Sequence, residues 1–374
     1  MIPPAQWLQA RPLRIAGTGM ALPRTCVTSA ELDARLGLPP GTVQARCGVA
    51  RRYLAQPHET AAELAALAAD RAVAAAGMRW ADVDCLIAAN ATMDQALPYN
   101  AALVHAQLGL HAHRTATFDI GASCLSFLAA VDFAAAMIAA GRYTTVAVVS
   151  ADLASVGLDW RDLETCGMFG DGAAAAILTR PPADAGSGPD SSSAILAARF
   201  ETLSDGVDYC QIPAGGSRHH PGKVPDAVAF AELNLFRMQG KPLFRLMATE
   251  MPGFTQRLLA EAGAVLAGET RGTYGNLGVH GEQAAPAPLP IHRIARVIPH
   301  QASRLGITHI ARRLGIATGQ LTDIFEDYGN QVAASMPTAL HLTLSAETAP
   351  QRGDILLLLG TSAGVSIGGM VVRY

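Results

Sequence analysis

A chain of 374 residues, half of them hydrophobic and only 16% charged, can bury one large or two medium cores, which excludes disorder for most of its length. A formal net charge of −3 excludes nucleic acid and anionic membrane surfaces as general partners, so any basic docking patch must be local. The six cysteines (Cys26, Cys47, Cys85, Cys124, Cys166 and Cys210) lack CxxC pairs and histidine ligand spacing, which argues against a zinc site or disulfide framework and leaves mostly reduced, buried thiols.

The opening MIPPAQWLQARPLRIAG has two early prolines and no apolar core of signal-peptide length, so a cytoplasmic enzyme is expected. Gly17-Thr-Gly19 is a fragment of a dinucleotide fingerprint, but the third glycine and the downstream acid are missing. An alanine-rich helix over 60–76 stops at Gly77 and leads to an apolar strand at 84–90. A segment at 117–121 opens onto an apolar helix over 125–141, followed by strands at 145–150 and 169–178. Residues 181–193 are rich in turn-formers and mark a boundary between halves 1–180 and 194–374. Turn-rich stretches at 215–225 and 272–290 read as surface excursions.

The second half repeats the order of the first. A helix over 254–262 leads to a strand at 294–300; a segment at 324–329 opens onto a helix; strands at 354–360 and 362–372 close the chain. Alternating helices and short apolar strands give an α/β class with a duplication near half the chain length. The uncharged run 355–372 reaches membrane-span length, but its glycine-rich middle predicts two buried strands joined by a turn, and no membrane span is expected.

Three residues sit at strand ends. Cys124 lies between a strand and a helix, where free backbone N–H groups and the helix dipole favour thiolate and predict a lowered pKa. His300 follows the strand in VIPHQAS and precedes a helix carrying Arg304, Arg312 and Arg313. Asn330, in DYGNQVAASMP, occupies the loop that corresponds in the second half to the Cys124 turn. A thiolate that accepts an acyl group, with an imidazole and an amide that donate to a developing enolate, is a complete chemical set. The other five cysteines lack the strand-turn-helix setting and read as core or surface thiols.

The motifs FDIGASCLSF, FGDGAAAAIL, IPHQAS, YGNQVAAS and GTSAGVSIGG, with the opening GTGMALP and RCGV, together resemble the β-ketoacyl-acyl-carrier-protein synthase III family over nearly the whole chain. The resemblance implies a five-layered αβαβα thiolase-like fold of two duplicated halves and a homodimer. It implies no bound cofactor, with thioesters of acyl carrier protein or coenzyme A as substrates. It assigns Cys124 as nucleophile, His300 and Asn330 as enolate-binding residues, and the backbone N–H groups of Cys124 and Gly364 as the oxyanion hole. It also places Phe169 and Leu97 at the acyl pocket and Arg46, Arg245 and Arg304 at the docking site for the carrier or its phosphopantetheine arm.

Two departures stand out. Thr42 replaces the tryptophan that stacks on adenine in many members, which favours carrier-protein donors, and the excursions suggest a specialised substrate in fatty acid, polyketide or other secondary metabolism. Leu97 stands where enzymes that join two fatty acyl chains head to head use a glutamate. Alternative reactions on the same fold are acyl transfer to an oxygen or nitrogen acceptor and condensation with cyclisation. A Cys-His-Asn protease is disfavoured because its cysteine setting is absent.

Overall fold

Alanine packing sets the outermost layer. In the computed structural model, which describes residues 9–111, 113–182, 193–270 and 287–374, Thr60 and Glu63 form a capping box that starts the helix Ala61–Ala75. Its alanine face lies on strand Arg14–Ala21 so closely that a Cβ on Gly17 would come within 2.5 Å of the Ala72 carbonyl oxygen, and one on Gly19 within 2.4 Å of that of Ala68. Gly17 and Gly19 therefore seat a helix against a sheet, which explains the fragment of dinucleotide fingerprint without a nucleotide.

The first sheet runs in the order Arg14–Ala21, Gly172–Thr179, Thr145–Asp152, Cys85–Ala88, Ala116–Asp119. The second runs Arg11–Pro12, Ala194–Thr202, Ser366–Arg373, Ile355–Ser362, Arg296–Pro299. Both mix parallel and antiparallel pairs, and the two central strands of each carry apolar side chains on both faces. Val146 and Val148 point into one core and Ala147 and Val149 into another; Leu356 and Leu358 alternate in the same way with Leu357 and Leu359.

Between the sheets lie the helices Ser126–Ala139 and Ser335–Ser345, whose apolar residues fill a shared core with both sheets. Outside the second sheet lie Gly240–Thr270 and Arg304–Leu314. The layers are thus helix, sheet, helix, sheet, helix, the thiolase-like αβαβα arrangement of two similar halves.

The apolar run near the C-terminus forms two antiparallel strands with Leu358 opposite Met370. Among the described residues no helix is long and apolar enough to cross a membrane. Strand Arg11–Pro12, from the N-terminal end, pairs with Ala194 and Ile195 and so joins the second sheet. Of the proposed boundary at 181–193, residues 183–192 lie outside the described residues, as do 272–286 of the excursion at 272–290.

Candidate active site

The nucleophile turn follows strand Ala116–Asp119. Ser123 is held at φ 50°, a left-handed conformation that costs a non-glycine residue energy, and residues Ser123–Leu125 form a single tight turn before the helix Ser126–Ala139. The buried Ser126 hydroxyl accepts the Ala122 N–H at 2.8 Å and lies 3.0 Å from the Asn90 carbonyl oxygen.

The second half repeats this turn in detail. Val332 sits at φ 55°, Val332–Ala334 forms the tight turn, and the Ser335 hydroxyl accepts the Gln331 N–H at 2.8 Å. Ser123 thus corresponds to Val332, Cys124 to Ala333 and Ser126 to Ser335, and Asn330 lies three residues before Ala333.

Asn330 is buried. Its Oδ1 accepts the Val332 N–H at 2.8 Å, which turns Nδ2 the other way, 3.4 Å from the Ala302 carbonyl oxygen. The Ala302 N–H in turn donates to the His300 carbonyl at 2.9 Å. Gly329, at φ 65°, lets the chain reach Asn330, since a Cβ there would meet the Met168 carbonyl oxygen at 2.5 Å.

His300 follows strand Arg296–Pro299, and its N–H donates to the Leu359 carbonyl at 2.8 Å. Its ring is buried, Nδ1 has no hydrogen-bond partner among the described residues, and burial pulls its pKa down to about 4. The imidazole is therefore neutral at physiological pH. It stands close to the nucleophile turn: a Cβ on Gly360 would meet both His300 Cβ, at 2.9 Å, and Leu125 Cδ2, at 3.2 Å.

The Cys124 thiol differs from the sequence-based expectation. Burial pushes it up to about 12, aided by the nearby charge of Asp152 and by the thiol of Cys210. The N–H groups of Cys124 and Ala363 favour the thiolate but are outweighed, because desolvation acts on the whole charge.

The N–H that meets the Cys124 sulfur at the turn after strand Ile355–Ser362 belongs to Ala363, not Gly364. Gly364 has φ 131°, open only to glycine, and shapes the turn. Leu97 is 83% exposed. Phe169 is buried, pairs through its backbone with Asn330, and meets Phe236 edge to face at 5.2 Å.

Among the basic residues, the Arg304 guanidinium binds the Gly48 carbonyl oxygen at 3.1 Å and Glu326 at 2.8 Å, so it ties Gly48 to the helix Phe325–Tyr328. Arg46 and Arg245 are exposed. Arg312 and Arg313 line a cleft with His309 and Thr249 between two outer helices. Thr42 gives its hydroxyl to the Pro39 carbonyl at 2.6 Å. Cys47, Cys85 and Cys166 are buried free thiols, Cys26 is exposed, and Cys210 is half-buried.

Sequence reasoning missed Ala363, Cys210 and Asp152. Only Asp152 left a signal, a carboxylate closing the mostly apolar strand Thr145–Asp152.

With this geometry in place, the chain can be compared with known proteins. Residues 118–202 match the family 3-Oxoacyl-[acyl-carrier-protein (ACP)] synthase III, and residues 285–374 match its C-terminal counterpart. A β-ketoacyl-[acyl-carrier-protein] synthase III of Symbiobacterium thermophilum is 32% identical over 98% of this chain and 99% of its own. That of Sphingopyxis alaskensis is 32% identical over 96% and 98%. Among solved structures, the 3-oxoacyl-[acyl-carrier-protein] synthase III of Aquifex aeolicus superposes with a TM-score of 0.78 at 28% identity, covering 97% of this chain and all of its own. The priming β-ketosynthase of the R1128 polyketide pathway reaches 0.80 at 23% identity, covering 97% and 96%, and so speaks to the fold alone.

Proposed function

The chain belongs to the 3-oxoacyl-[acyl-carrier-protein] synthase III family, and from that premise we propose that Cys124 carries the acyl group while His300 and Asn330 bind the enolate of a malonyl-type thioester. The protein is a ketosynthase, an acyltransferase. In the first half-reaction the Cys124 sulfur attacks the donor thioester carbonyl, and the N–H groups of Cys124 and Ala363 receive the oxyanion. The thiol proton leaves with the departing thiolate, which suits a cysteine that is neutral at rest.

In the second half-reaction the extender loses CO2, and the electron pair of the broken carbon–carbon bond passes into an enolate. His300 Nε2–H and Asn330 Nδ2–H donate to its oxygen. The enolate carbon then attacks the acyl-cysteine carbonyl, the new bond forms, and Cys124 departs as thiolate and is reprotonated.

One observation carries this reading over acyl transfer to a hydroxyl. His300 is neutral through burial, and among the described residues Nδ1 has no partner and no carboxylate raises its basicity. Such an imidazole is a poor base and a good hydrogen-bond donor, which is what decarboxylation requires.

Thr42 offers no ring for an adenine, which supports acyl carrier protein over coenzyme A as donor carrier, and the exposed Arg46 and Arg245 suit an acidic carrier surface. Exposed Met93, Leu97, Tyr99 and Phe133 support a homodimer. The reading is tested by intact-mass spectrometry after incubation with acyl thioesters of both carriers. One acyl mass is expected on the native chain and none on Cys124→Ala; an acyl adduct persisting on Cys124→Ala would remove that residue from the reaction.

A further inference from the structure

The duplicated turn has a feature that its partner lacks. At Cys124 the backbone N–H meets the sulfur, where a substrate oxygen arrives. At Ala333, which holds the same position in the second turn, the N–H donates at 2.9 Å to Oδ2 of Asp152. Asp152 is fully buried, and its Oδ1 accepts the Ala91 N–H at 2.9 Å, the Thr92 N–H at 2.7 Å and the Thr92 hydroxyl at 2.8 Å. One carboxylate therefore ties the segment after strand Cys85–Ala88 to the turn that carries Asn330. That segment also supplies Asn90, whose carbonyl lies 3.0 Å from the Ser126 hydroxyl of the nucleophile turn.

We propose that Asp152 is a positioning residue for the decarboxylation step, its carboxylate occupying in the Asn330 turn the place that the thioester oxyanion takes at Cys124. The proposal rests on the assignment of Asn330 to the enolate. Oδ2 fixes the Ala333 N–H, Ala333 fixes the strained Val332, and the Val332 N–H holds Asn330 Oδ1, which turns Nδ2 toward the Ala302 carbonyl next to His300. Among the described residues, the backbone N–H groups of Ala91, Thr92 and Ala333 and the Thr92 hydroxyl face Asp152, and its charge acts on the Cys124 thiol. The carboxylate aims the amide that binds the enolate, and its charge adds to the burial that keeps the resting nucleophile protonated.

The experiment compares Asp152→Asn, Thr92→Val and Asn330→Ala in three assays: acylation of Cys124 by an acyl thioester, decarboxylation of a malonyl thioester, and alkylation of Cys124 by iodoacetamide at neutral pH. Asp152→Asn turns an N–H donor toward buried N–H groups, so decarboxylation is expected to fall about tenfold or more, with acylation changed much less and alkylation faster. Thr92→Val keeps the carboxylate but removes one of its donors, and should lower the ratio of decarboxylation to acylation a few-fold; it carries the test if Asp152→Asn does not fold. A ratio unchanged in both variants, or alkylation no faster in a folded Asp152→Asn, overturns the proposal. Full decarboxylation by Asn330→Ala would instead overturn the enolate assignment, and the proposal with it.

Discussion

Replacing Gly360 by alanine tests whether the neighbour of His300 sets its position. The added Cβ would lie 2.9 Å from His300 Cβ, 3.1 Å from Met336 Cε and 3.2 Å from Leu125 Cδ2. Carbon atoms settle at about 3.5 to 4.0 Å, so the shortfall toward His300 is roughly 0.6 to 1.1 Å. The Met336 methyl ends a flexible chain and can move aside, whereas His300 Cβ is fixed to the backbone, so the displacement falls on the imidazole. Overpacking of this size costs about 1 to 3 kcal/mol of stability, and a misplacement near 1 Å can cost about a hundredfold in rate. Malonyl-thioester decarboxylation by Gly360→Ala should fall by about 10- to 100-fold, while Cys124 acylation by an acyl thioester falls much less. The control is Gly369→Ala, whose Cβ meets Leu258, Leu359 and Phe254 on the opposite face of the same sheet. It should lose comparable stability and keep its decarboxylation rate. Equal decarboxylation by both variants, measured with thermal unfolding on the same samples, would refute the link between Gly360 and the imidazole.

Protonation of His300 opposes folding. Its folded pKa, near 4, lies below the ordinary 6.5, so the unfolded chain binds the proton first and the contribution to stability, complete above 6.5, is lost as pH falls toward 4. At about 1.4 kcal/mol per pH unit this amounts to on the order of 3 kcal/mol. Asp152, pushed up to about 6 by burial, acts with the opposite sign over an overlapping range. The relevant measurement is therefore the difference in unfolding free energy between the native chain and His300→Gln from pH 7 to 4, and a flat difference would contradict the buried neutral ring. Ser126→Ala and Ser335→Ala each remove the hydroxyl that accepts a turn N–H, and each should cost about 1 to 3 kcal/mol in urea unfolding. Ser126→Ala should slow acylation selectively and Ser335→Ala decarboxylation. Arg304→Ala should lose about 1 kcal/mol through the Gly48 and Glu326 contacts. Arg245→Ala should stay within about 0.5 kcal/mol of the native chain and raise KM for a carrier-protein substrate.

Much of the architecture was legible because it is written in short-range patterns. Thr60 and Glu63 announce a helix start, and the apolar runs at 146–149 and 355–359 announce strands covered on both faces. The glycine-rich turn near 364 distinguishes two strands from a membrane span. The register between the two halves was less legible. Asn330 marks the second turn by eye, but it is Ala333 that occupies the position of Cys124, because the matching features are a positive φ and a serine hydroxyl rather than side-chain identity.

The sequence by itself determined the α/β class, the duplication and the candidacy of Cys124, His300 and Asn330, since each depends on residues adjacent along the chain. Only the tertiary structure decided that the Cys124 thiol is protonated at rest, that Ala363 supplies the N–H beside it, that Arg304 is held by Gly48 and Glu326, and that Asp152 joins the two turns. Those four facts depend on segments brought together from distant parts of the chain and on the desolvation that packing them imposes. Burial and mutual orientation are properties of the assembled layers, which no local pattern of residues encodes.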